Sequence, residues 1–195
     1  MVVPNSCFGF FIDVRENISC SAGYLHHVVR KSFMAPINVT TVLAGNGMAG
    51  SPLNQLDVPQ GLFVDFDLNL SVADCNNNGV LRFARNHLHG TVVAGSTAPS
   101  PIELHCPAGI ALDADGYLFL SDFAFGRVVG SGPNGCRCVV GCSDFNGSAA
   151  NQLSRPYGFT FDRYANLVVA DRDNHRIQKF LLARNTCSEY DIAQV

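Results

Sequence analysis

From Phe159 to Phe180 the chain reads FTFDRYANLVVADRDNHRIQKF, in which short apolar runs are separated by clusters of Asp, Asn and Arg. Runs of this length, bounded by turn-forming residues, predict β-strands joined by tight polar turns. The same outline occurs three more times upstream. The blocks open at Gly9 (GFFIDVRENISCSAGYLHHVVRK), Gly61 (GLFVDFDLNLSVADCNNNGVLRF), Gly109 (GIALDADGYLFLSDFAFGRVVGS) and Gly158, at intervals of 52, 48 and 49 residues. Each Gly is followed by three mostly apolar residues and then by Asp13, Asp65, Asp113 or Asp162. Four residues later Asn17, Asn69, Tyr117 or Asn166 opens a second apolar run, which Asp74, Asp122 and Asp171 close; Ala22 holds that place in the first block. A third run follows at Val28-Val29, Val80-Leu81, Val128-Val129 and Ile177-Gln178. The spacers carry a fourth, in TTVLAG ending at Gly45, GTVVAG at Gly95 and CRCVVG at Gly141. A Leu three residues ahead of a Pro stands before each later block, at Leu56/Pro59, Leu104/Pro107 and Leu153/Pro156.

The unit is therefore four short strands with polar turns, repeated about every 50 residues. A single four-stranded antiparallel sheet cannot bury both of its faces, so neighbouring units must stack on it. Radial stacking yields a β-propeller, which protects most sheet edges. The first strand of each unit is richest in large apolar residues (Phe10, Phe11, Ile12; Leu62, Phe63, Val64), as expected of an innermost strand flanked on both faces. The recurring Asp and Asn residues have a local explanation, because short polar side chains bond nearby backbone amides and tolerate turn dihedrals. Asp65, Asp74, Asp113, Asp122, Asp162 and Asp171 are accordingly read as structural rather than catalytic.

PYGFTFDRYANLVVADRDNHRIQKF and PQGLFVDFDLNLSVADCNNNGVLRF resemble the NHL repeat, whose Asn-His-Leu step is approximated by Asn174-His175-Arg176. The third block matches less closely, and the first is degenerate. Kelch and WD blades have similar periods but lean on a Trp, and this chain has none. The resemblance covers essentially the whole chain. It implies an all-β, four-bladed NHL-type propeller domain over 1–195, with blades near 4–45, 57–95, 105–142 and 154–195. NHL propellers usually have six blades. Four units imply a partial or open ring, a small closed propeller, or a ring completed by another chain.

Composition narrows the partners. Apolar residues make up 47% and charged residues 15% of the 195, a globular balance. With 13 Lys+Arg against 16 Asp+Glu and two lysines in all, nucleic acid is not an expected partner. Some NHL domains bind RNA through a basic face. Here Arg155, Arg163, Arg172, Arg176 and Lys179 are interleaved with Asp162, Asp171 and Asp173, which reads as a salt-laced surface. No apolar run approaches the roughly 18 residues of a membrane span, and MVVPNSCFGFF is not a secretory signal as written. Eight cysteines and four N-x-S/T sequons, at Asn17, Asn38, Asn69 and Asn146, favour an oxidising, glycosylating compartment and thus an extracellular or secreted protein.

Propeller topology, as the resemblance implies it, sorts loops onto two faces. Asn17, Asn38 and Asn69 fall on one, where glycans would leave the opposite face free for partners; Asn146 lies in an inter-blade loop. Cys75, after strand two of its block, and Cys106, before the next block, share a face and are candidates for one disulfide. Cys7 with Cys20, and Cys142 turning back onto Cys136, are the others. A zinc site from Cys136, Cys138, Cys142 and His105 is the competing reading, with a spacing unlike the usual C-x2-C pair.

The amidating lyase, an enzyme whose repeats this chain resembles, holds zinc with histidines commonly placed after the repeat Pro. The matching positions here are Phe8, Gln60, Ala108 and Tyr157, none an imidazole. His26 and His175 occupy the repeat's own His position, and His87 and His89 alternate in a loop. Gly45, Gly47 and Gly50 spell G-x-G-x-x-G without the helix a dinucleotide site needs. The expectation is a non-enzymatic extracellular interaction or structural module. It has no assigned catalytic, cofactor or metal residue, and binds a protein or glycan partner or other copies of itself. The alternative is a propeller enzyme of lyase or hydrolase type with a metal at the channel mouth.

Overall fold

In the computed structural model, residues 7–36, 39–133, 135–143, 146–184 and 190–193 are described, those from 182 onward by backbone alone. Among the described residues sixteen strands form four antiparallel sheets, each with its strands in sequence order. Blade one comprises β1 (Cys7–Ile12), β2 (Asn17–Ala22), β3 (His27–Ser32) and β4 (Thr41–Ala44). Blade two comprises β5 (Pro59–Val64), β6 (Leu70–Asp74), β7 (Gly79–Phe83) and β8 (Thr91–Ala94). Blade three is β9 (Pro107–Leu112), β10 (Leu118–Asp122), β11 (Arg127–Gly132) and β12 (Gly135–Val140). Blade four is β13 (Pro156–Phe161), β14 (Leu167–Asp171), β15 (Arg176–Arg184) and β16 (Tyr190–Ala193). The first strands β1, β5, β9 and β13 lie side by side in that order around an axis.

The turn between strands one and two is written in the Asp-x3-Asn spacing. The Asp13 carboxylate accepts the backbone N–H of Arg15 (2.8 Å) and Asn17 (3.0 Å), while Asn17 Nδ2 donates back to it. Asp65 with Asn69 and Asp162 with Asn166 repeat the clasp, and Asp113 receives the Tyr117 N–H at 2.9 Å. A left-handed residue stands one or two places ahead of the second strand in every blade, at Glu16, Leu68, Gly116 and Ala165, and short polar partners stabilise such a turn.

Among the described residues the hydrophobic core is three clusters, one at each blade-to-blade junction. Val28 and Ala44 of blade one meet Leu62, Val64 and Leu70 of blade two. Val80 and Ala94 of blade two meet Leu118 and Leu120 of blade three. Val128 and Val140 of blade three meet Leu167 and Val169 of blade four. The Leu of each Leu-x-x-Pro loop (Leu56, Leu104, Leu153) caps the junction it precedes and is buried. Truncating one of these to Ala would cost on the order of 2–5 kcal/mol.

Glycines let the inner strands close up. A side chain on Gly9 would lie 2.6 Å from the Gln60 carbonyl, and one on Gly109 would lie 2.7 Å from that of Tyr157; Gly61 meets the Ala108 carbonyl in the same way. Ser121 Oγ accepts the Gly109 N–H and donates to the Tyr157 carbonyl, both at 2.7 Å, and Ser21 bridges Gly9 to Gln60 likewise. The most buried strands, however, are β6 and β10, every residue of which is buried, and not the first strands. A first strand borders the axis, whereas β6 and β10 each have a strand on either edge and a blade on either face.

Candidate functional site

Turns between strands two and three share one face with the inter-blade loops, and a buried carboxylate fastens them. Asp74, Asp122 and Asp171 are fully buried. Each accepts a backbone N–H from the loop ahead of its own blade: Asp57 (2.7 Å), His105 (2.8 Å) and Ser154 (2.6 Å). The second oxygen takes Asn77 Nδ2 (2.8 Å) in blade two and Arg127 Nε (3.0 Å) in blade three. In blade four it takes both Arg176 Nε (2.7 Å) and Asn174 Nδ2 (2.8 Å). Burial pushes the Asp74 carboxyl up to about 6 against the opposing pull of Asn77 and the Asp57 N–H. Burial raises Asp122 too, with the His105 N–H and Arg127 opposing. These groups are turn fasteners, and their carboxylates are spent on protein donors.

On the same face, Sγ of Cys75 is bonded to that of Cys106, tying the blade-two turn to the loop that enters blade three. Cys7 is joined to Cys20 across β1 and β2. The third bridge is Cys138–Cys142, and Cys136 is a free thiol, half-buried and packed on the second junction. This corrects the Cys136–Cys142 assignment. β12 runs straight through Cys136, so that residue sits about 6.6 Å farther from the turn at Gly141 than Cys138 does. With two of its four ligands in a disulfide, the Cys136/Cys138/Cys142/His105 zinc site is not formed. Among the described residues no group of three or more His, Cys, Asp or Glu is placed to hold a metal. His87 Nδ1 lies 2.9 Å from the Arg85 carbonyl.

Three of the four post-Pro positions, Phe8, Gln60 and Tyr157, meet on this face. Tyr157 Oη donates to Gln60 Oε1 at 2.6 Å and lies 3.4 Å from the Phe8 carbonyl, joining blades four, two and one. Ala108 is buried. Burial raises the Tyr157 phenol, with Arg172 opposing. Around this plug the surface is aromatic and cationic. Tyr24, 70% exposed, stands edge-on to Phe8 at 4.9 Å. Phe123 has the Arg172 and Arg155 guanidiniums over its ring at 5.4 and 5.8 Å. Asp173 pairs with Arg155 (3.3 Å) and Arg172 (3.7 Å). Phe125 lies between His105 (5.7 Å) and Arg127 (5.0 Å). Sequence reasoning passed over Tyr24, Phe123 and Phe125, although aromatics in turns that are polar in blades two and four were a visible signal.

The sequons divide differently from their grouping by loop. Asn17 is buried, and its Nδ2, the atom that would carry a sugar, faces the Asp13 carboxylate. Asn69 Nδ2 is bonded to Asp65 at 2.9 Å. Asn146 is exposed on the inter-blade side; Asn38 lies outside the described residues.

No protein-family model and no curated protein matches the chain. Solved structures do. The nidogen/laminin complex aligns with a TM-score of 0.67 at 19% identity over 90% of this chain and 60% of that one. A gluconolactonase from Xanthomonas campestris aligns at 0.67 and 14% over 96% and 63%. Virginiamycin B lyase from Staphylococcus aureus aligns at 0.65 and 10% over 100% and 57%. The chain is a β-propeller. It spans 57 to 63% of the length of these three structures, and at such identities the likeness speaks for the fold alone. Within the propeller, the face bearing Tyr24, Phe123, Phe125 and Tyr157 is the candidate site.

Proposed function

We propose that this propeller is a non-enzymatic, extracellular interaction module of NHL type that grips a protein partner with its aromatic–arginine face. The observation that carries the reading is the cluster of Tyr24, Phe123 and Phe125 with Arg127, Arg155 and Arg172 on the face where Tyr157 bonds Gln60. Aromatic residues and Arg are the types most enriched at protein interfaces, and they carry most hot-spot energy. Arg side chains stacked on rings are already ordered, which lowers the entropic cost of docking. Three disulfides among the described residues support an oxidising location, and one similar structure is a protein complex, that of nidogen and laminin.

The test is a binding screen of this chain against arrayed secreted and cell-surface proteins. Tyr24→Ala with Phe125→Ala, or Arg172→Ala, is expected to weaken a captured partner at least tenfold, about 1.4 kcal/mol or more. Tyr164→Ala, at a 66% exposed residue on the opposite face, leaves binding unchanged. A partner indifferent to the first set and sensitive to the last overturns the reading.

The gluconolactonase and lyase among the similar structures favour a second reading, a metal-assisted propeller enzyme. Turnover of a lactone panel on addition of divalent metal, abolished by Tyr157→Phe or Gln60→Ala on this face, would establish it instead.

A further inference from the structure

The two end blades each expose a face that the chain buries everywhere else. Val28, Val80 and Val128 occupy one repeat position and are 0% exposed; Ile177, their counterpart in blade four, is 71% exposed. On the opposite side of the repeat, Leu62 and Val64 are 5% and 7% exposed, whereas Phe10 and Ile12 at the same places in blade one are 73% and 52% exposed. A side chain on Gly9, Gly61 or Gly109 would collide with the next blade's carbonyl, but one on Gly158 meets nothing among the described residues within 4 Å.

These two open faces are the two halves of a single interface. Its trailing half, built around Val28, Val80 or Val128, is what blade four displays with Ile177. Its leading half, built around Leu62/Val64, Ile110/Leu112 or Phe159/Phe161, is what blade one displays with Phe10/Ile12. We propose that copies of this chain associate head to tail, blade one of one copy packing on blade four of the next. The new junction continues the three inside each chain. It brings the Phe8 carbonyl of one copy against Gly158 of the other, in the place where the Gln60, Ala108 and Tyr157 carbonyls meet Gly9, Gly61 and Gly109. Ala170 replaces the bridging serine there, as Ala73 does at the junction between blades two and three. A contact of this kind joins unlike faces, so it generates a ring or a chain of copies rather than a face-to-face pair.

The experiment uses the 195-residue chain and two variants, Ile177→Arg and Phe10→Arg, each blocking one face. Light scattering after size exclusion is expected to give the unsubstituted chain at least twice the 21.0 kDa of one copy. Each variant alone runs as a monomer. An equimolar mixture of the two restores a species of two chains, because each contributes the face the other lacks. Far-UV circular dichroism checks that both fold; should one fail, Thr160→Arg and Ile12→Arg, also at exposed outward positions, pose the same question. An unsubstituted chain that is monomeric, a single variant that still dimerises, or a mixture that stays monomeric overturns the proposal.

Discussion

The Tyr157 hydroxyl donates to Gln60 Oε1 at 2.6 Å, joining blade four to blade two across 97 residues of sequence. One side chain thus bonds blade two from blade four and also reaches toward Phe8 of blade one. Tyr157→Phe keeps the ring against Phe123 (6.3 Å) and leaves the buried Gln60 amide oxygen without its donor. The expected loss is about 1–2 kcal/mol, read from the midpoint of urea unfolding.

The buried aspartates invite a harsher test. Asp122→Ala removes the acceptor of Arg127 Nε and of the His105 N–H at once. Removing one partner of such a pair costs about 3–5 kcal/mol. Asp113→Ala, in a more exposed turn of the same blade, should cost much less. Thermal unfolding of the two variants measures the difference.

Asp74 differs from Asp122 and Asp171 in lacking an arginine, because Gly79 stands where Arg127 and Arg176 stand in their blades. Its folded pKa of about 6 lies above its ordinary 3.8, so the fold favours the protonated form. The stability that this group contributes is full below about 3.8 and is lost as pH rises through 6. Asp13 and Asp65 act in the opposite sense. Burial raises them, but bonds from Asn17 and Asn69 prevail and hold both low, so their contribution fades as pH falls below 3.8. Carboxyl NMR titration should find Asp74 near pH 6, and Gly79→Arg should return it toward the ordinary carboxylate range.

Disulfide Cys75–Cys106 closes a loop between blades two and three. Replacing both cysteines by serine is expected to remove about 2–4 kcal/mol, and to loosen the His105–Phe125 corner of the aromatic face. Hydrogen exchange of the Phe123 and Ala124 amides, which bond the Cys106 and His105 carbonyls, reports that loosening.

Glycopeptide mapping after expression in a secretory pathway should find Asn146 modified and Asn17 bare. Asn17 Nδ2 is buried against Asp13, while Asn146 is exposed. Occupancy at Asn17 would mean that the Asp13 clasp opens before folding is complete.

Strand count, blade order and the turn chemistry were legible in the chain itself. Alternating apolar runs fix strands, and Asp13, Asp65 and Asp162 with their asparagines fix turns, because both depend on residues a few places apart. The spacing of Leu56, Leu104 and Leu153 likewise announces a repeated junction. What the linear order left undecided depends on which repeat has a neighbour. Phe10 and Leu62 occupy the same place in the pattern, as do Ile177 and Val80, yet one of each pair is exposed and the other buried. Packing between blades decides that, as it decides that Cys138 rather than Cys136 reaches Cys142, and that Tyr157 meets Gln60. Periodicity determines local structure; the meeting of residues far apart in sequence is set by the twist and stacking of whole sheets, which no short window contains.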